Sequence, residues 1–500
     1  MKSKIFGILL FIETAAFLLT AAVANYYHAV AGETDLRCFL IPAGASFFTG
    51  LALYVFGLRK GRKALKIKDS FLVVTFSWLL FSLFGMMPFL LYGSTDNVTD
   101  AFFETMSGFS TTGASIMNDI DSQPHGILFW RSLMQWLGGL GIVVFTLAFI
   151  PSVAKGSRKM VLFAAEAPGL SVEKLSPKMQ NTARNLWIIY IVLTLLCAFC
   201  YRIGDMSIFD AICHAMTTIA TGGFGTHQAS MGYFQSSYLE YTCCLFMILA
   251  GINFSMYYFA VTRRFDLIFR NEELRWYILS ILCCTALFFG LFLCAEYFEG
   301  VTKSQLEGMP QGYENILRTS LFHVSALLSN TGFQAEHFDY DAWGLMFLIP
   351  TLFMMVIGGC AGSTSGGIKM IRIIVLCKYI KMAMREFIHP TGMYNIKISK
   401  QMVDTSSVRM VCIFLSLFIV LFMSNLILLT ATGMQMDDAV ASFLTCFSNY
   451  GPGSGATGPN GSFASIPAAA KWILSLDMLV GRLEIFTVVM LFTRGFWKSL

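Results

Sequence analysis

The feature that most constrains this chain is a succession of long apolar runs, at 5–27, 38–58, 71–93, 127–150, 185–203, 238–262, 275–298, 343–386, 409–433 and 471–497. A helix of roughly 20 apolar residues crosses the hydrocarbon core of a bilayer, because it satisfies its own backbone polar groups where no water can. The pattern predicts about ten transmembrane spans. A chain of 500 residues would otherwise suggest several soluble domains, but 56% hydrophobic and 13% charged residues leave too little polar surface to cover them.

Charge placement orients the spans. The net charge of +5 is no nucleic-acid footprint, because the basic residues fall in short blocks between spans: RKGRKALKIK (59–68), RRFDLIFRNEELR (263–275) and the 369–400 stretch. By the positive-inside rule these loops are cytoplasmic. Loops 94–126, 204–237 and 434–470 contain no Lys or Arg, and 299–340 holds only Lys303 and Arg318, so these face outward. An even number of spans then leaves both termini in the cytoplasm. The first run, with Lys2, Lys4 and Ala22-Val23-Ala24, has the outline of a signal peptide. Glu13 and Thr14 interrupt it, and it reads as a span. The thirteen cysteines fall almost entirely within spans, which predicts buried free thiols and shows no metal-ligand spacing. Asn97, Asn253 and Asn460 begin Asn-x-Ser/Thr triplets at a frequency that chance supplies.

The outer loops of the last eight spans contain four versions of one segment: TDAFFETMSGFSTTGA, FDAICHAMTTIATGGFG, RTSLFHVSALLSNTGFQ and DDAVASFLTCFSNYGPG. Aligned without gaps, Gly113, Gly223, Gly332 and Gly451 coincide. Upstream, Asp100, Asp210 and Asp438 coincide with Thr319, and Phe109, Ile219, Leu328 and Phe447 share a position. Ser110, Ala220, Ser329 and Ser448 follow, then Thr111, Thr221, Asn330 and Asn449. The chain is therefore organised as two leading spans (1–60) and four units (61–155, 156–264, 265–400 and 401–500), each a span, a short re-entrant segment and a second span.

A helix of ten or so residues, capped by the Asp or Thr, is too short to cross, and the irregular backbone after it must be buried in protein or line water. Four such segments around an axis predict an all-α polytopic membrane protein with a central pore. Each short helix aims its partly negative C-terminal end at the membrane centre, which favours a cation there. Extended backbone beyond it can offer rings of carbonyl oxygens in place of a hydration shell, with glycine relieving the Cβ clash.

With its four filter-like stretches STTGA, ATGGF, SNTGF and SNYGPG, and with GRLEIFT near the end, the sequence resembles the TrkH/KtrB family of potassium uptake proteins, within the superfamily that includes plant HKT transporters. The two leading spans are closer to the TrkH branch. The resemblance implies a K+ selectivity filter formed by Thr111, Thr112, Gly113, Thr221, Gly222, Gly223, Asn330, Thr331, Gly332, Asn449, Tyr450 and Gly451. Relatives that favour sodium often have serine at the first glycine, so Gly113 argues for potassium. Tyr450 is bulky for its place. The resemblance also implies a multi-pass protein of the cytoplasmic (inner) membrane, a homodimer with one pore per chain, and a separate TrkA-like cytosolic subunit that binds nucleotide.

The stretch GGCAGSTSGGIK (358–369) has the Gly362-to-Gly367 spacing of a phosphate-binding loop, but Ile368 intervenes before Lys369 and Met370 replaces the hydroxyl residue. It interrupts a run too long for one crossing, and Gly358, Gly359, Gly362, Ser363, Thr364, Ser365, Gly366 and Gly367 hold a regular helix poorly. It resembles the family's intramembrane gate loop, with helix packing as the alternative role. Arg482 sits mid-span, where an arginine costs at least about 2.5 kcal/mol unless it meets water or a partner. It reads as pointing to the pore or to the loop's carbonyls, as a barrier to cations. Glu484, two residues on, lies on another face. Glu104, His214, His323 and Ser442 fall in register on the short helices and read as polar packing, and Arg131 reads as snorkelling outward.

These readings describe potassium uptake with no chemical catalysis and no organic cofactor. The competing reading is a secondary transporter coupling K+ to Na+ or H+ by alternating access. Four units of one orientation, without a carboxylate pair on facing spans, argue against it. No motif supports an enzyme or a nucleotide-driven pump.

Overall fold

The computed structural model describes residues 2–59, 67–154, 179–297, 308–335, 343–390, 394–399, 401–459 and 461–498. Most of the basic 59–68 loop, Lys303 and Asn460 lie outside the described residues. The chain is an all-α polytopic membrane protein, its helices joined by loops and one two-stranded hairpin at Lys397–Ile398 and Gln401–Met402. Among the described residues, six helices are long and apolar enough to cross a membrane: Lys2–Ala31, Leu36–Arg59, Phe71–Tyr92, Asn185–Ile203, Glu272–Cys294 and Thr405–Ala431. The first two form a tight hairpin. A Cβ on Gly7 would strike the Gly50 backbone and one on Gly57 the Lys4 backbone, while Thr14 and Ser46 share a hydroxyl hydrogen bond of 2.8 Å. Small residues let helices approach where lipid offers no hydrophobic drive between them.

After the hairpin, each unit runs span, short helix, extended segment, second helix. The short helices are Val98–Phe109, Ile208–Ile219, Tyr313–Leu328 and Met436–Ser448. Their starts differ from the expected Asp or Thr caps. Asn97 and Ser207 are the caps, accepting the backbone N–H of Asp100 and Asp210, while the two aspartates sit one turn in. Asp100 and Asp210 there answer the N-cap side chains, as in a capping box.

The second helices differ from one another. That of unit one, His125–Ala154, is continuous. Unit two has Ser237–Ala250 and Phe254–Val261, bent by 93° at Gly251–Asn253. The expected single span at 238–262 is thus broken, because Tyr277 Oη fills the space a side chain at 251 would need and the 358–369 loop occupies the gap. Unit three has Leu345–Met355, the glycine-rich loop, then Met370–Ile388. Unit four departs from the expected single span at 471–497: Ala468–Leu483 ends at Glu484, whose φ of 63° is left-handed, before Ile485–Val489 begins.

Among the described residues, the two largest apolar clusters hold the bundle. One gathers mainly the leading pair with units one and four, including Phe17 stacked on Trp130 at 4.4 Å; the other gathers mainly units two and three, with Tyr450 of unit four. Large apolar side chains such as Leu195, Phe353 and Ile427 face outward. On a soluble protein such a surface would aggregate, but against lipid tails it is the stable arrangement.

Candidate functional site: a ring of four extended segments

Each short helix ends in the same way. In unit one the Thr112 N–H donates to Ser107 O (2.9 Å) and Thr111 N–H to Gly108 O (3.1 Å). The same pair recurs as Gly222 to Thr217 and Thr221 to Thr218, as Thr331 to Ala326 and Asn330 to Leu327, and as Tyr450 to Thr445 and Asn449 to Cys446. This is a Schellman-type cap, and it needs a left-handed residue. Thr111, Thr221, Asn330 and Asn449 supply it, with φ of 55°, 52°, 54° and 54°. Glycine would be the ordinary choice, and a β-branched threonine at positive φ is held there only by its surroundings. Two residues later Gly113, Gly223, Gly332 and Gly451 have φ of 86°, 79°, 76° and 111°. Sequence reasoning found the second left-handed position through glycine and missed the first, for which the asparagines were the available signal.

The four segments close on one another. A Cβ on Gly113 would overlap the Gly222 carbonyl oxygen, one on Gly223 that of Thr331, one on Gly332 that of Tyr450, and one on Gly451 would press on that of Thr112. Each glycine's α-carbon thus abuts the carbonyl just before the next glycine, and the fourth returns to the first. All four glycines line a cavity of about 70 Å³, with Arg131, Gln228, Gln334 and Phe463 among its other walls. The Tyr450 side chain is fully buried in the apolar cluster of units two and three. Four helix C-termini and backbone oxygens gathered at one ring give it a negative electrostatic character, which can favour a cation over an anion.

The 358–369 loop lies against this ring. Its two ends pair through Gly358 N–H to Ile368 O (2.9 Å) and Ile368 N–H to Val356 O (2.8 Å). Between them, Thr364 Oγ donates to Ile219 O at the end of the unit-two helix (3.0 Å), and a Cβ on Gly366 would overlap Ser448 O in unit four. Cys360 N–H reaches Gly251 O (2.9 Å), and Gly362 O receives Phe254 N–H (3.1 Å), so the bend in unit two is what seats the loop. Gly359 N–H is held by Ser365 Oγ, which also meets Ser363 Oγ, and a Cβ on Gly367 would press on Val356 O. The buried Arg482 donates to Thr364 O (2.7 Å) and to Gly138 O of unit one (3.1 Å). Glu484 meets Arg372, on the helix that follows the loop, at 2.5 Å.

Arg131 does not snorkel. It is 1% exposed, paired with Glu104 at 2.9 Å, and it donates to Ser115 Oγ and Gly225 O. His323, in register with Glu104, hydrogen-bonds Thr351 Oγ at 2.8 Å. At the rim of the ring, His227 Nδ1 lies 2.7 Å from Asp121 of unit one, and its ring stacks on Tyr233. Burial lowers the His227 pKa, but the Asp210 and Asp121 carboxylates more than offset this and raise it above the usual imidazole value. Burial likewise acts to raise the Asp210 carboxyl, yet hydrogen bonds from His227, Ser207 and Thr226 hold it below the usual carboxylate range.

Apolar membrane-length helices with four repeated segments closed into a ring fit a multi-pass membrane transport protein, and the family model that matches the chain is one of cation transport, not of an enzyme. The chain belongs to the TrkH family of cation transport proteins, whose family model matches residues 44–498. It is 34% identical over 505 residues to the Trk system potassium uptake protein TrkH of Salmonella typhimurium, covering 99% of both chains. It is 34% identical over 439 residues to the potassium uptake protein TrkI of Halomonas elongata, covering 87% and 85% of the two chains. The crystal structure of the potassium transporter TrkH from Vibrio parahaemolyticus aligns with a TM-score of 0.85 at 31% identity, over 99% of this chain and 98% of that one.

Proposed function

We propose that this chain takes up potassium through the ring, which acts as a selectivity filter, and that residues 358–367 gate it from below. The observation that carries the reading is the closure of four left-handed glycine segments, each packed on the carbonyl before the next glycine. Thr111–Gly113, Thr221–Gly223, Asn330–Gly332 and Asn449–Gly451 are the filter, and Gly358, Gly359, Gly362, Ser363, Thr364, Ser365, Gly366 and Gly367 the gate. Potassium as the cargo follows from relatives named for its uptake, and glycine at 113 fits a site not narrowed by a side chain. Arg482 latches the loop through the Thr364 carbonyl and places a positive charge below the ring, a barrier that electrostatics supports wherever water is scarce. The units run 61–155, 156–264, 265–400 and 401–500, after leading helices in 1–60. In this reading the protein lies in the cytoplasmic membrane with both termini inside, forms a homodimer, and is opened by a TrkA-like cytosolic nucleotide-binding subunit docking on its basic inner loops.

The test is rubidium and sodium uptake into liposomes holding the purified chain, wild type against Gly113→Ser. Selective rubidium entry that relaxes toward sodium in the variant supports the filter. Rubidium entry with a ratio that the serine leaves unchanged removes it.

A further inference from the structure

The four filter segments have the same backbone but are braced differently. The residue before each glycine is Thr112, Gly222, Thr331 or Tyr450. In units one and three a hydroxyl pair braces it: Ser110 Oγ to Thr112 Oγ at 2.7 Å and Ser329 Oγ to Thr331 Oγ at 2.6 Å. In unit four the Tyr450 ring is anchored in the apolar core. Unit two has Gly222 there, with Ala220 in place of the serine, and so carries no brace of its own.

Gln135, from the second helix of unit one, fills that gap. It is fully buried, its Nε2 donates to Gly222 O at 2.6 Å, and its Oε1 accepts the Phe224 N–H at 3.1 Å. A Cβ on Gly222 would overlap the Gln135 amide, so glycine at 222 and glutamine at 135 fit as a pair. One turn earlier Arg131 holds Gly225 O at 3.2 Å and lies 4.1 Å over the Phe224 ring. Together the two side chains grip the unit-two strand from Gly222 to Gly225. Counting three residues back from Gly138, Gly358 and Gly481 gives Gln135, Met355 and Met478. In units three and four the direction is reversed: Asn330 and Asn449 reach from the filter to the backbone carbonyls of Met355 and Met478, both at 3.0 Å.

We infer that Gln135 is a positioning residue for cation selection: by holding the Gly222 carbonyl from unit one, it sets where one of the four ring oxygens stands. The inference rests on the filter reading above. A carbonyl ring discriminates ions by the position and stiffness of its oxygens, so releasing one of them relaxes selectivity more than it reduces the amount of folded protein.

The experiment is competitive rubidium and sodium uptake by the purified full chain in liposomes, comparing wild type, Gly113→Ser, Gln135→Leu and Gln135→Met, each checked for monodispersity and thermal stability. Methionine keeps the length of the side chain but has no donor for Gly222 O and adds no charge, so it tests the bond even where leucine impairs folding. The expected result is a rubidium-to-sodium ratio lowered by about fivefold in both Gln135 variants, the equivalent of one hydrogen bond. Adding Ala220→Ser and Gly222→Thr to Gln135→Ala rebuilds the hydroxyl pair of unit one and is expected to restore part of the ratio. If Gly113→Ser relaxes the ratio while folded Gln135 variants keep it, the role of Gln135 is overturned and the filter reading stands. If neither position moves the ratio, the filter reading fails and takes this inference with it.

Discussion

The ring and the second helices, the two halves of each repeat in this molecule, treat the same fourfold pattern in opposite ways. At the ring, four segments of different sequence adopt one backbone, down to the same two cap hydrogen bonds and the same pair of left-handed residues. Below it, the four second helices are continuous, bent by 93°, interrupted by a loop, and broken at Glu484. A site that coordinates a spherical ion gains from equivalent ligands on all sides. A gate, as residues 358–367 are proposed to be, has to move in one place only, and the three unlike partners of the loop provide a seat in unit two, a latch in unit four and an anchor in unit three. On the proposed function, symmetry is kept where the cargo needs it and lost where motion does.

Breaking the symmetric half should have the largest effect. Gly223→Ala places a Cβ on the Thr331 carbonyl oxygen at a φ that alanine disfavours, and is expected to abolish rubidium uptake while the protein remains in the membrane. Next comes the pair that supports the ring. Glu104→Gln leaves Arg131 buried without its counter-charge, a loss of about 3–5 kcal/mol in unfolding measured by denaturant titration in detergent micelles. The counterpart in unit three, Thr351→Val, removes only neutral bonds, to His323 and to Phe347 O, and is expected to cost about 1 kcal/mol. Equal losses at the two sites would contradict the contrast between an ion pair at this position of unit one and a neutral bond at its counterpart in unit three.

The asymmetric half is tested by Arg482→Ala. Losing even one charge-assisted bond to the loop, about 1.5 kcal/mol, moves a latched equilibrium by about tenfold. Basal rubidium flux is expected to rise accordingly, with the selectivity ratio unchanged because the ring is untouched. A ratio that falls along with the rise would mean that the two halves are not separable.

The symmetric half was the more legible one in the sequence. Glycine is the residue that a left-handed segment against a neighbouring carbonyl demands, so register alone exposed Gly113, Gly223, Gly332 and Gly451. The loop was legible because five glycines within ten residues of an apolar run have no helical use. The rest depended on partners far away in the chain. Arg131 looked like an interfacial residue because Glu104 is 27 positions off, and the break at Glu484 is answered by Arg372, 112 positions off. The left-handed turns at Thr111 and Thr221 were hidden because threonine opposes them on its own, and only the closed ring holds them.

The smallest effect lies at the rim, where His227 joins unit two to Asp121 of unit one. Its pKa is raised on folding, so its stabilisation is fully present below the unfolded imidazole value of about 6.5 and fades as pH rises through the higher folded value. Asp210, held low, acts with the opposite sign: its contribution is present above the ordinary carboxylate range and is lost as pH falls toward its folded pKa. Between the two, from about pH 5 to 6, the rim is at its tightest. His227→Gln is expected to remove the alkaline decline of thermal stability while costing less than about 1 kcal/mol, as for a partly exposed pair. An unchanged decline in the variant would place the pH dependence elsewhere in the outer loops. A change in ion selectivity with the same substitution would show that the rim, and not only the brackets behind the filter, holds the ring in shape.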